Sequence, residues 1–127
     1  MPISFDFDSL DGIVIGKGTG SFSVEEVQRA AVEFWQRCSG PRYQVLWDLR
    51  EVRFDLETGE VRKLAEFVSS RAPSGEIRTA YVVSGDLEFG FIRMFEVFRE
   101  SEAVETHVFR DMQSAIDWLH QGDVPGE

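Results

Sequence analysis

Three short apolar runs constrain the fold most: Ile13-Val14-Ile15, Val45-Leu46-Trp47 and Thr79-Ala80-Tyr81-Val82-Val83. None of them alternates apolar with polar residues. A strand of that kind needs cover on both faces, and helices packed on each side of a sheet supply it. The intervening segments have the right pattern. Val24, Val27, Ala31, Phe34, Trp35 and Cys38 fall on one helical face, and Glu25, Arg29, Glu33 and Arg37 hold the opposite one at spacings of four. Ser23-Val24-Glu25-Glu26 reads as a capping box before that helix, and Ser39-Gly40-Pro41 stops it. Val61, Leu64, Ala65 and Val68 mark a second helix, ended by Ala72-Pro73-Ser74-Gly75. Ser84-Gly85-Asp86 leads into a third, from Leu87 to Arg99. Asp111 caps a fourth, with Met112, Ala115, Ile116 and Leu119 inward and Gly122 past its end.

Two further segments read as edge strands because polar residues interleave with apolar ones. Ile3, Phe5 and Phe7 alternate with Ser4, Asp6 and Asp8, and Thr106-His107-Val108-Phe109 forms a short last strand. Asp11-Gly12 is a hairpin signal between the first strand and Ile13. The order is therefore β-β-α-β-α-β-α-β-α. It predicts an α/β fold with a mixed, mainly parallel sheet of about five strands, its central strands being the three apolar runs. Residues 1–127 read as one domain, with a loose tail over 123–127.

Charge narrows the partners. Acidic residues outnumber basic ones 23 to 13, for a net charge of −10. Such a surface repels phosphate backbones and anionic lipid, so neither nucleic acid nor a membrane surface is expected as a partner. No apolar run approaches the roughly 20 residues of a membrane span. The single cysteine, Cys38, completes an apolar helix stripe, and the N-terminus lacks a signal-peptide pattern, so a cytoplasmic location is expected.

Few residues carry a chemical signal. Gly16-Lys17-Gly18-Thr19-Gly20 reads as a strand-to-helix loop that could cradle an anion on its amides, although its spacing fits neither standard phosphate-loop pattern. The plainer reading is a strand exit that needs positive φ. Asp48 closes a buried run where open α/β sheets carry functional loops, and it equally suits a turn cap or a pair with a nearby arginine. His107 and His120 sit at no metal-binding spacing, and no nucleophile elbow or zinc pattern occurs. No cofactor is expected. On a helical projection of residues 87–99, Leu87, Phe91, Met94, Phe95, Val97 and Phe98 cover the inward face. Phe89 and Ile92 fall among the charges on the other side. That predicts either a contact with another chain or, for Phe89, a place under a loop.

Phe89-Gly90-Phe91-Ile92-Arg93-Met94-Phe95-Glu96 and the segment from Val108 through Asp111-Met112 to Trp118-Leu119 resemble corresponding segments of the SpoIIAA-related STAS/SEC14-like proteins. The order of elements is likewise similar to the STAS fold of bacterial anti-sigma-factor antagonists. The resemblance implies a domain that acts by binding rather than by chemistry. In the antagonists, a strand ending in aspartate leads to a phosphorylated Ser-Gly pair at the next helix. Val45-Leu46-Trp47-Asp48-Leu49 resembles that strand, and Thr58-Gly59 stands at the position of the pair. Thr replaces Ser there, Leu56-Glu57 precede it, and Glu57 and Glu60 already supply negative charge. The competing reading makes Thr58 an ordinary helix N-cap.

The first functional reading is thus a bacterial interaction or regulatory module that binds protein and self-associates as a homodimer. Its interface would be Phe89 and Ile92, rimmed by Arg93, Glu96 and Arg99, with Thr58 and Gly59 as the regulatory element. The second is a binder of a small apolar or anionic ligand at the strand ends, through Gly16, Gly18, Gly20, Asp48, Ser84 and Asp86. An enzyme comes third.

Overall fold

In the computed structural model, β1 (Ser4–Leu10) and β2 (Ile13–Ser21) pair antiparallel, with Leu10 opposite Ile13 and Ser4 opposite Thr19. The structure describes residues 4–10, 13–21, 23–37, 43–54, 57–71, 76–98 and 105–121. The Asp11-Gly12 turn, the Ser39-Gly40-Pro41 and Ala72–Gly75 stops, Gly122, the 123–127 tail, Cys38 and Arg99 lie outside those residues. After the hairpin come α1 (Val24–Arg37), β3 (Tyr43–Arg53), α2 (Thr58–Arg71), β4 (Glu76–Val82), α3 (Asp86–Phe98), β5 (Glu105–Phe109) and α4 (Met112–Gln121). The expected element order is present throughout.

The five strands lie in sequence order across one sheet, and β2, β3, β4 and β5 run parallel. The apolar runs occupy the three central strands, and β1 and β5 form the edges, as their patterns predict. Each crossover steps the same way across the sheet. Right-handed connections then bring α1, α2 and α3 to one face, while α4, which follows the last strand, covers the other. The core reflects this division. Ile13, Leu46, Ala80 and Val82 pack with Ala115 and Leu119 of α4. Val45 packs with Phe34 of α1, and Leu49, Tyr81, Val83 and Val108 pack with Ile92 of α3.

Local signals set the helix starts. The Ser23 hydroxyl accepts from the Glu26 amide at 3.4 Å, which is the N-cap half of a capping box, and donates to Glu26 Oε1 at 2.7 Å. Asp111 accepts from the Ser114 amide at 2.8 Å and caps α4. At α2 the cap is Glu57, whose carbonyl accepts from the Glu60 and Val61 amides, while Glu60 Oε1 accepts from the Glu57 amide at 2.9 Å. Thr58 is therefore the first helical residue rather than the N-cap, which corrects the ordinary-cap reading of that position.

Candidate functional site

β3 carries one extra residue where its pairing with β2 steps from Lys17↔Asp48 to Thr19↔Glu51. The insertion is a bulge and reverses the inside-outside alternation, so Val52 and Phe54 share a core cluster with Leu49. Asp48 opens the irregular stretch and Arg50 lies within it. Asp48 is 4% exposed, inside the strand rather than at its end. Its carboxylate accepts from Arg50 Nε and a terminal guanidinium nitrogen, each at 2.9 Å, and from the Arg50 amide at 3.3 Å. Burial pushes the Asp48 carboxyl upward, but the Arg50 hydrogen bonds and the charges of Arg50 and Lys17 outweigh it and hold the group below its ordinary value. The hydrogen bond to Asp48 correspondingly raises Arg50.

Ser84, just past β4, donates its hydroxyl to the Arg50 carbonyl at 3.0 Å. Asp48 and Ser84 are thus brought together through Arg50. Asp86 stands apart in an exposed ion pair with Arg110 at 2.7 Å. The glycine stretch is not a loop: Gly16, Gly18 and Gly20 lie within β2, which corrects the phosphate-cradle reading. The amides of a strand paired on both sides are committed to its neighbours. Gly16 sits opposite Phe7 on one side and Trp47 on the other. Gly20, with φ of 105°, supplies the left-handed conformation at the strand exit. Lys17 pairs with Glu51 at 3.3 Å on the surface.

The face assignment on α3 is also corrected. Ile92 is 6% exposed and belongs to the core cluster with Tyr81 and Val83. Phe89 is half-buried against the same cluster, and the Arg110 guanidinium lies 4.6 Å from its ring centre. Neither forms an open patch. Leu87 and Val97, expected inward, are 62% and 69% exposed. The helix turns so that Phe91, Ile92 and Phe95 point to the sheet and α2, and the periodicity of so apolar a helix does not choose that direction. Arg93 is exposed. Glu96 is half-buried, and its Oε2 accepts from the Thr106 hydroxyl at 3.5 Å while its buried Oε1 has no hydrogen-bond partner. Burial raises the Glu96 carboxyl, against the opposing influence of Arg93 and Thr106. Thr58 and Gly59 are exposed at the start of α2.

His107 lies on the surface of β5 in an aromatic group, 4.8 Å from Phe109 and 5.8 Å from Trp118 between ring centres. Among the described residues no set of His, Cys, Asp and Glu side chains could hold a metal ion. Nor, among them, is any helix long and apolar enough to cross a membrane.

One feature escaped the sequence. A cavity of about 90 Å³ lies between the sheet and the three helices on its face, walled by apolar and aromatic side chains. Val45, Trp47 and Leu49 form its floor, Phe34 and Ala31 of α1 one wall, and Ile92 of α3 another. The available signal was Ala30-Ala31 in the middle of an otherwise bulky inward stripe, since small residues there leave the space.

No protein-family model matches the chain, and no curated protein does. Solved structures do. An uncharacterised protein from Shewanella loihica, described as having a SpoIIAA-like fold, superposes with a TM-score of 0.58 at 19% identity, over 92% of this chain and 93% of the other. An anti-sigma factor antagonist from Mycobacterium paratuberculosis superposes with a TM-score of 0.63 at 15% identity, over 93% and 94%. The chain has the SpoIIAA-like, STAS-type fold.

Proposed function

We propose that this protein is a non-catalytic regulatory module of the bacterial cytoplasm that acts by protein binding and self-association, through the outward face of α3. The observation that carries the reading is the exposure of Leu87 and Val97, 62% and 69%, on one helix. Leu87, Gly90, Met94 and Val97 follow one another at spacings of three, four and three, which lays them along one stripe. Nothing stands within 4 Å of where a Gly90 side chain would begin. These positions are symmetric about Ile92. In an antiparallel pair of α3 helices, Leu87 meets Val97 of the second copy, while Met94 stays packed against Val61 and Leu64 of its own chain. The name of one structural neighbour, an anti-sigma factor antagonist, supports a regulatory role. Thr58-Gly59, exposed at the start of α2, is the proposed point of regulation.

Light scattering across a concentration series tests the reading. A mass near twice 14.5 kDa that falls to the monomer value in a Leu87→Asp/Val97→Asp variant with native circular dichroism is expected. A wild type that stays monomeric at millimolar concentration, or a dimer indifferent to both substitutions, overturns it.

A further inference from the structure

We infer that β5 is a docking edge for a second copy of this chain, paired antiparallel about Thr106 so that Glu105 of each copy faces His107 of the other. The inference concerns the rim of the sheet and does not rest on the α3 contact. β5 ends the sheet and pairs residue for residue with β4, from Arg78↔Glu105 to Val82↔Phe109. It holds no proline, lysine or bulge, the usual devices that stop an edge from recruiting another strand. The Phe109 carbonyl accepts from the Val83 amide at 3.0 Å, so it points into the sheet. Backbone groups alternate in direction along a strand, which turns the amides and carbonyls of Thr106 and Val108 to the open side.

A second copy is the occupant that the sequence selects. Val104-Glu105-Thr106-His107-Val108 reads alike in both directions except that glutamate and histidine exchange. A two-fold axis at Thr106 therefore sets Thr106 against itself in a hydrogen-bonded pair. It sets Glu105 against His107, twice, in the pairs where side chains come closest. Both residues are exposed and lie on the α4 side of the sheet. Arg78 Nε donates to Glu105 Oε1 at 3.4 Å, and a terminal nitrogen of Arg78 donates to the Trp118 carbonyl at 2.7 Å. The His107 ring stands 5.8 Å from that of Trp118. A carboxylate facing an imidazole N–H forms a charge-assisted hydrogen bond. The opposite edge of the sheet shows the contrast. β1 carries exposed Asp6 and Asp8, and pairing about Phe7 would set Asp6 against Asp8 twice. One edge repels a copy of itself and the other fits one. A strand pair of five residues falls short of the roughly 800 Å² per partner of a stable interface, so the contact is weak by itself and joins chains at high concentration.

Cysteine trapping in full-length protein tests the pairing. All chains carry Cys38→Ser and Leu87→Asp, the latter breaking the α3 contact so that its presence or absence cannot decide the outcome. Glu105→Cys chains are mixed with His107→Cys chains at millimolar concentration under mild oxidation. Each mixed pair keeps one native Glu105–His107 contact. Directly opposed cysteines meet the narrow Cα spacing of a disulfide and same-position ones do not, so the mixed dimer should exceed each homodimer roughly tenfold. Adding His107→Glu to the Glu105→Cys chain opposes two carboxylates and should lower the mixed yield about fivefold, and adding Glu105→Lys to the His107→Cys chain should restore it. Circular dichroism checks each fold; should His107→Cys not fold, Thr106→Cys, which lies on the axis, takes its place and should cross-link to itself. Equal yields of mixed and same-position dimers, no disulfide at all, or a yield indifferent to the charge exchange overturns the inference.

Discussion

Asp48 and Arg50, two residues apart on β3, hold each other through two hydrogen bonds of 2.9 Å across the point where the strand slips register by one residue. Ser84 adds a second tie to the bulge by donating its hydroxyl to the Arg50 carbonyl. The two partners of the ion pair are unequal: the Asp48 side chain is 5% exposed and that of Arg50 42%.

Removing Arg50 therefore leaves a buried carboxylate without its counter-charge. Arg50→Ala should cost about 2–3 kcal/mol at pH 7, below the roughly 3–5 kcal/mol of a fully buried pair because the arginine is partly solvated. The Asp48 group lies below its ordinary value when folded, so it binds fewer protons in the folded chain than in the unfolded one as acid is added. Its stabilisation is complete above the ordinary carboxylate range, near pH 4, and declines as pH falls through the folded value. Denaturant titrations at pH 7 and pH 3 should show the Arg50→Ala penalty shrinking in acid. A penalty under 0.5 kcal/mol at pH 7 would contradict the argument.

Glu96 has the opposite sign. Burial raises its folded value, so the folded chain holds the proton more tightly and loses stability as pH rises from the ordinary glutamate range through that value. Glu96→Gln should stabilise by about 1 kcal/mol at neutral pH by removing a charge beside an unpartnered buried oxygen. Thermal melts at pH 4 and pH 7.5 check it: the gain should appear at the higher pH only.

The orientation of α3 is testable by truncation. At a concentration where the chain is monomeric, Ile92→Ala removes buried bulk and should cost about 2–4 kcal/mol, whereas Leu87→Ala and Val97→Ala should each stay within about 0.5 kcal/mol. Equal losses at Ile92 and Leu87 in urea unfolding would return the helix to the projection drawn from periodicity.

Helix starts give a paired comparison. Ser23→Ala should cost about 1 kcal/mol because the hydroxyl caps the Glu26 amide and holds the Glu26 carboxylate. Thr58→Ala should cost less than 0.5 kcal/mol, since Glu57 and Glu60 cap α2 without it. Comparable losses at both positions would make Thr58 the cap after all.

The amino-acid sequence by itself determined the element order, the central and edge strands and three of the four helix faces. Those features rest on local information: unbroken apolar runs such as Val45-Leu46-Trp47, the alternation around Phe5 and Phe7, and caps such as Ser23 and Asp111. Tertiary structure alone decided the rest. Gly16 to Gly20 looked like a loop because glycine marks turns, but β1 and β3 on either side supply partners that keep the segment in the sheet. Periodicity could not orient α3, whose apolar residues exceed one stripe; the meeting of Phe91, Ile92 and Phe95 with α2 and the sheet chose its direction. The pairing of Asp48 with Arg50 was legible as an option, the bulge between them was not. The cavity was least legible of all, because empty space belongs to no residue: it arises where Ala31, Val45 and Ile92, from three separate elements, fail to meet.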